Sequence, residues 1–251
     1  MAGLQWCAPK RLRKQEGLGS GPTPFCIPGS AGNVGQLVRV CLLMEIQAKT
    51  VLVVGASGVL GGLLATRLTE AGASVLGTAT TNESAARIPA EVTTKLLVNL
   101  EQPESISVLS NYLKQTSRLD GIVIASGRVG FGAAEQTSAV DFERMQRVNF
   151  LGPVQLINEL TSNLNEDGFI VAINGVVSEK VFPGMSAYVT AKTALSTWLA
   201  ATRSEFKRKK ILIVDAKPGH TETGLATRPI FGTAPNMPTG MNPEHVVDVI
   251  V

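Results

Sequence analysis

From Lys49 onward, short runs of apolar residues alternate with longer stretches whose apolar positions recur every three or four residues. The runs Thr50–Val54, Ser74–Gly77, Lys95–Val98, Gly121–Ala125, Gly168–Ile173 and Ile211–Asp215 are rich in Val, Ile and Leu. They are nearly continuous rather than alternating, which marks strands buried on both faces. The helical period predicts helices near 59–71, 103–116, 137–165 and 185–205. A last helix is expected to start near Pro243, with Asn242 as its cap. Repeated strand–helix order predicts an α/β fold with a single doubly wound parallel sheet, helices on both faces and right-handed crossovers. The pattern breaks off at Val251, so a further C-terminal strand and a substrate-covering segment are expected to be missing.

Residues 1–43 do not share this pattern. "GLGSGPTPFCIPGSAG" is rich in Gly, Pro and Ser and has no helix or strand period. One reading is a targeting or interaction arm built on "KRLRK" at 10–14. The other is a dispensable extension ahead of Met44. The stretch lacks the continuous apolar region of a secretory signal, and its Gly and Pro content opposes an amphipathic transit helix. Composition, charge and cysteine usage all change near Met44, which favours the extension. The expected organisation is therefore an irregular basic extension, 1–43, and one domain, 44–251.

Charge supports this division. Residues 1–43 carry Lys10, Arg11, Arg13, Lys14 and Arg39 against Glu16 alone, a net of +4, which leaves −1 of the +3 total for the rest. No nucleic-acid surface is expected on the domain. Cys7, Cys26 and Cys41 also fall in the first segment, so no disulfide framework holds the fold. A reducing, cytoplasmic setting is compatible. His220 and His245 are too few and too far apart for a zinc site, and no metal is expected. No apolar run is long enough to span a bilayer, so no membrane partner is expected.

Candidate chemistry begins at "VLVVGASGVLGGLLATRL", which reads as strand, glycine turn and amphipathic helix. Gly55, Gly58 and Gly61 are spaced three apart. Glycines permit a tight turn and close backbone approach, and a helix N-terminus offers free N–H groups to a pyrophosphate. Ser57, Val59 and Leu60 complete the turn, while Leu60, Leu63, Leu64 and Leu68 form the buried stripe. Placement after the first strand points to dinucleotide binding rather than a plain turn. The second strand ends "VLGTATTNE", and its first acid is Glu83. No carboxylate stands where it would repel a 2′-phosphate. Thr78, Thr80 and Thr81 offer hydroxyls, so NADP is expected, with NAD the alternative.

Tyr188 and Lys192 are i and i+4 on one helix face. A free tyrosine has a pKa of about 10. A nearby ammonium and the positive ring of an oxidised nicotinamide would lower it, letting Tyr188 exchange a proton with a carbinol oxygen. Asn149 precedes Pro153 by four. In a continuous helix its carbonyl would lose its partner there, and a kink would free that carbonyl for a water. A packed helix merely bent by Pro153 is the alternative.

With these motifs in place, the chain from about residue 48 resembles the short-chain dehydrogenase/reductases. It resembles especially the single-domain kind, which includes 3-oxoacyl-carrier-protein reductases. The resemblance covers roughly 200 residues. It rests on Gly55-Ala-Ser-Gly58-Val-Leu-Gly61, Asn99-Leu100, Asn149, Tyr188 with Lys192, and Pro218-Gly219 followed by Thr221 and Thr223. It implies a Rossmann fold and reversible hydride transfer between NAD(P)H and a small carbonyl or alcohol. Asn99-Leu100 would lie by the adenine. The Pro-Gly segment with its threonines would lie by the nicotinamide. Lys192 would hold the nicotinamide ribose, and Asn149 would anchor the water of a proton relay. Family members commonly form dimers or tetramers through the helices near 137–165 and 185–205, so a homodimer or homotetramer is expected.

Three departures qualify the resemblance. The glycines are spaced as in extended, sugar-nucleotide-modifying members, though the chain lacks their longer C-terminal domain. The usual Asn-Asn-Ala-Gly after the fourth strand is Ile124-Ala-Ser126-Gly127, where Ser126 is expected to replace part of the lost bonding. The serine expected thirteen residues before Tyr188 is Gly175. Loss of one such donor costs about 100- to 1,000-fold in rate. Asn174 and Ser178 are the candidates to replace it. The leading expectation is an NAD(P)-dependent oxidoreductase of reduced activity. The alternatives are a nucleotide-binding sensor that has lost efficient catalysis and, more remotely, a sugar-nucleotide epimerase or dehydratase.

Overall fold

Alternate residues of the central strands feed two separate cores. In β1 (Thr50–Val54), Leu52 and Val54 face one side of the sheet, while Val51 and Val53 face the other. In β4 (Leu119–Ile124), Ile122 and Ile124 are split from Val123 in the same way. Burial on both faces explains why these strands read as unbroken apolar runs. The structure, a computed structural model, describes residues 46–250. The extension expected over residues 1–43 lies outside the described residues.

Four further strands complete the sheet: β2 (Ser74–Ala79), β3 (Thr94–Leu97), β5 (Leu164–Ile173) and β6 (Leu212–Ala216). All pair in parallel, in the order β3-β2-β1-β4-β5-β6. One core contains residues of α3 (Pro103–Thr116), α5 (Gly152–Leu160) and α6 (Ser186–Arg208). The opposite core contains residues of α1 (Val59–Glu70) and α7 (Pro243–Ile250). A short α2 (Asn82–Ala85) follows β2, and α4 (Ala139–Gln146) precedes α5. Among the described residues, no helix is long and apolar enough to cross a membrane.

The helix expected over 137–165 is not continuous. It runs as α4, a π turn over Arg147–Leu151, α5 and a 3-10 turn over Thr161–Asn163. In the π turn, Gly152 N–H donates to the carbonyl of Arg147, five residues back. The change of register falls where Pro153 offers no N–H. β5 starts four residues before the expected Gly168, because its first residues, Leu164-Asn-Glu-Asp, are mostly polar yet still pair at Leu119↔Leu164.

Candidate active site

The strand order reverses between β1 and β4, and open parallel sheets bind ligands in the crevice beyond that point. The glycine turn leaves β1 there, and residues 125–128 leave β4. A β-carbon on Gly61 would overlap the carbonyl of Gly55, so only glycine lets the helix start this close to the turn. The first turn of α1 has no side-chain cap at Gly58. Its N–H groups are thus available to an anion.

The crevice is lined by Gly55, Ser57, Thr78, Thr80, Asn99, Leu100, Glu101, Ser126, Gly127 and Arg128. Ser126 Oγ is buried with no hydrogen-bond partner, so the strand-tying role expected of it is not filled. An orphaned hydroxyl in a crevice fits a ligand that supplies its partner. Thr78 Oγ1 accepts from the Gly55 N–H at 3.1 Å and braces the glycine turn. Asn99 Oδ1 accepts from the Glu101 N–H at 3.0 Å. Leu100 packs into the core, as its apolar side chain requires. These features suit a dinucleotide: free helix N–H groups for a pyrophosphate, a glycine cradle and an unpartnered hydroxyl. A larger cavity of about 570 Å³ opens between α5 and the far end of α6. It lies away from the strand ends, and none of the predicted site residues reaches it.

Tyr188 and Lys192 sit in the first two turns of α6, both buried. Lys192 Nζ donates to the carbonyl of Ile173 at 3.0 Å. A β-carbon built on Gly127 would lie 3.1 Å from Asn149 Oδ1 and 3.5 Å from Lys192 Nζ. Gly127 thus joins the crevice to the two polar groups, and a larger residue would crowd them. Asn149 Oδ1 accepts from the Arg128 N–H at 3.1 Å. Its Nδ2 donates to the carbonyls of Arg128 at 3.0 Å and Met145 at 3.1 Å. The side chain therefore clamps the β4 loop onto the helix ahead of the π turn, a role the sequence does not show.

Burial sets the proton affinities of the pair. It pushes the Tyr188 phenol up to about 12. It pushes Lys192 down to about 8, with the Asp215 carboxylate acting in the opposite sense. The lowering of Tyr188 expected from Lys192 is not found in the protein alone, where desolvation is the cause of the shift.

Gly175 is held at φ +86° and ψ 162°, a conformation closed to residues with side chains. Its position is therefore more than a lost hydroxyl. Neither candidate substitute is displayed as an open donor. Ser178 Oγ donates to the carbonyl of Gly175 at 2.9 Å. Asn174 turns under the sheet edge and donates to Asp215 Oδ1 at 2.6 Å. The Pro218 segment lies beside them, with Val176 N–H donating to the Pro218 carbonyl at 2.9 Å. Thr221 Oγ1 donates to the Gly219 carbonyl at 2.9 Å, and Thr223 Oγ1 accepts from the Leu225 N–H at 3.3 Å.

Residues 225–234 pack on the apolar cluster that includes the tyrosine. Leu225, Ala226, Ile230, Phe231 and Ala234 pack on a cluster of Val129, Phe131, Met145, Ala187, Tyr188 and Ala191. The strap is tied down by Ile230 N–H to the Val129 carbonyl at 2.8 Å and Phe131 N–H to the Phe231 carbonyl at 3.1 Å. Sequence reasoning missed two groups: Arg128, exposed at the rim of the crevice, and Asp215. A single acid inside the apolar run "ILIVDA" was the available signal for the second.

The chain is similar to known proteins. The sequence model described as short chain dehydrogenase matches residues 49–229. The cyclic-di-GMP-binding biofilm dispersal mediator protein of Escherichia coli K12 is 28% identical over 176 residues, 70% of this chain and 74% of its own. A 3-oxoacyl-acyl-carrier-protein reductase of Aquifex aeolicus is 27% identical over 194 residues, 72% of this chain and 77% of its own. Among solved structures, a short chain dehydrogenase from Burkholderia cenocepacia in complex with NADP superposes with a TM-score of 0.69 at 18% identity. That match covers 82% of this chain and 83% of the other, and it bears on the fold.

Proposed function

The chain belongs to the short-chain dehydrogenase family, and from that premise we propose that it is an NAD(P)-dependent oxidoreductase acting on a small carbonyl or alcohol, with Tyr188 as its acid–base group. The observation that carries the reading is the junction at Gly127, where the crevice meets Asn149 and Lys192 on the helix that bears Tyr188. The glycine turn, Ser126, Asn99 and the Pro218–Thr223 segment would hold the cofactor. When bound, its nicotinamide supplies or takes up the hydride.

Tyr188 enters neutral solution as a phenol, because burial holds its proton. That form donates to a carbonyl oxygen, as the reduction step requires. Lys192, anchored on Ile173, presents a cation that stabilises the phenolate left behind. The apolar residues packed around Tyr188 support a substrate with an apolar flank and exclude water from the reacting group. NADP is favoured over NAD. β2 ends in Thr78 and Ala79 and is followed by Thr80, with no carboxylate among them, Glu83 is drawn into α2, and Arg128 stands at the same crevice. The reading includes self-association through α4, α5 and α6, supported by the exposed apolar side chains of Val140, Phe142 and Leu151.

The test is turnover of a carbonyl panel with NADPH, comparing the parent with Tyr188→Phe. Loss of the phenol is expected to lower kcat by about 100- to 10,000-fold. Absent turnover together with an inert Tyr188→Phe change would sink the proposal. A second reading, a nucleotide-binding protein of negligible turnover, is favoured by Gly175 and by the inward bonding of Ser178. The Escherichia coli relative named for binding cyclic di-GMP lends it weight. Calorimetry with NADPH, NADH and cyclic di-GMP separates the two readings: binding without turnover selects the second.

A further inference from the structure

Asp215 is the lone acid of β6, and its side chain is only 8% exposed. Its carboxylate accepts from Asn174 Nδ2 at 2.6 Å and from Ser196 Oγ at 2.5 Å. Lys217 Nζ stands 3.4 Å away at the rim. Both close donors lead to the same place. Ser196 is one helical turn after Lys192 and shares its face of α6. Asn174 follows Ile173, whose carbonyl accepts from Lys192 Nζ at 3.0 Å. Asn174 Oδ1 is buried and has no partner among the described residues. Asp215 is therefore the side chain that orients this amide.

We propose that Asp215 is a positioning residue for Lys192: a buried anion that fixes the Ile173–Asn174 corner against the lysine and keeps its buried amine charged. The inference rests on the role given to Lys192 above. A buried amine sheds its proton unless an anion compensates for lost hydration. Burial does push Lys192 down, to about 8, and Asp215 is the charge that opposes it. Arg128, which follows Gly127, is exposed at the crevice rim, and the other charged groups near α6 are engaged elsewhere or farther along. Glu179, after the 3-10 turn, pairs with Lys217 at 2.9 Å. Arg144 of α4 turns to Glu101 at 3.1 Å, and Asp141 accepts from Ser138 at its own helix start. Glu143 and Arg147 complete the charged side chains of α4 and the π turn, and Tyr188 is the titratable neighbour on α6 itself.

The experiment follows the lysine directly and does not require turnover. In protein carrying 13C-labelled lysine, the Lys192 side-chain resonance, identified by its absence in Lys192→Met, is titrated by NMR. Asp215→Asn is expected to move its midpoint to lower pH. Lys217→Met, which removes the cation competing for the carboxylate, is expected to move it to higher pH. In kinetics with NADPH, Asp215→Asn should lower kcat several-fold at pH 8, converge with the parent at pH 6 and leave the KM for NADPH unchanged. A merely structural role would lower kcat alike at both pH values. An unchanged Lys192 midpoint in either variant overturns the proposal. If Asp215→Asn does not fold, Lys217→Met at the surface decides alone. A parent without turnover would refute the oxidoreductase reading while the NMR midpoints still judged Asp215.

Discussion

At Gly175 the backbone, more than the missing hydroxyl, separates this chain from a site with a serine there. Its φ of +86° suits glycine, while a β-carbon would meet the Pro218 carbonyl only in ordinary contact at 3.4 Å, so the conformation itself is the obstacle. Gly175→Ser is therefore expected to cost about 1–3 kcal/mol in urea unfolding and to leave kcat no higher than the parent's. A rate gain without loss of stability would show that the loop readily adopts another path. Lys192 carries a second residue-level consequence. Its folded value, about 8, lies below the 10.5 of the unfolded chain. Between those values the unfolded chain holds more protons, so this group makes stability rise with pH across pH 8 to 10.5 and is a full burden below pH 8. Lys192→Met should thus be more stable than the parent at pH 7, by up to about 3 kcal/mol, with the gap closing towards pH 10.5. Denaturant midpoints across that range check it. Tyr188, Lys192 and Gly127 stand out in the sequence by residue type and spacing. Asp215 does not, because its partners, Asn174 and Ser196, meet it only after β5, β6 and α6 have packed.

The elements were legible wherever burial shaped the pattern, and β1 was predicted at its observed bounds, Thr50–Val54. Where backbone pairing alone extends a strand, as at the polar start of β5, the hydrophobic pattern has nothing to report. The long helix shows a different gap. Pro153 signals a break, but the sequence does not say that the break is a π turn or that Asn149 binds the neighbouring loop. That side chain makes a reciprocal pair with the Arg128 N–H and carbonyl. Asn149→Ala keeps the main-chain carbonyl expected to hold a water but orphans those two backbone groups. It is expected to cost about 2–3 kcal/mol in stability and to raise hydrogen exchange at Arg128. An unchanged unfolding midpoint would restrict Asn149 to its carbonyl.

Across the whole molecule, the site depends on the two cores holding the sheet rigid beneath the crevice. α7 belongs to that frame. Val246 and Val247 are fully buried beside Val51, Val53 and Leu64 in the core on the α1 side. The same helix is also tied by charge: Arg67 of α1 reaches Glu244 at 2.9 Å and Asp248 at 3.1 Å. These two kinds of attachment differ in worth. The ion pairs are about a third to a half exposed and compete with water, so each contributes little. A buried valine side chain contributes about 1.5–3 kcal/mol. Val247→Ala should therefore cost about 2 kcal/mol in urea unfolding, insensitive to salt. Arg67→Ala should cost clearly less than Val247→Ala, and its cost should shrink as salt is raised. Because α7 packs on the same core as α1, the helix that opens at the glycine turn, loosening it by Val247→Ala should also weaken NADPH binding in calorimetry, whereas Arg67→Ala should not. Equal stability losses in the two variants would mean that charge, and not burial, docks the last helix.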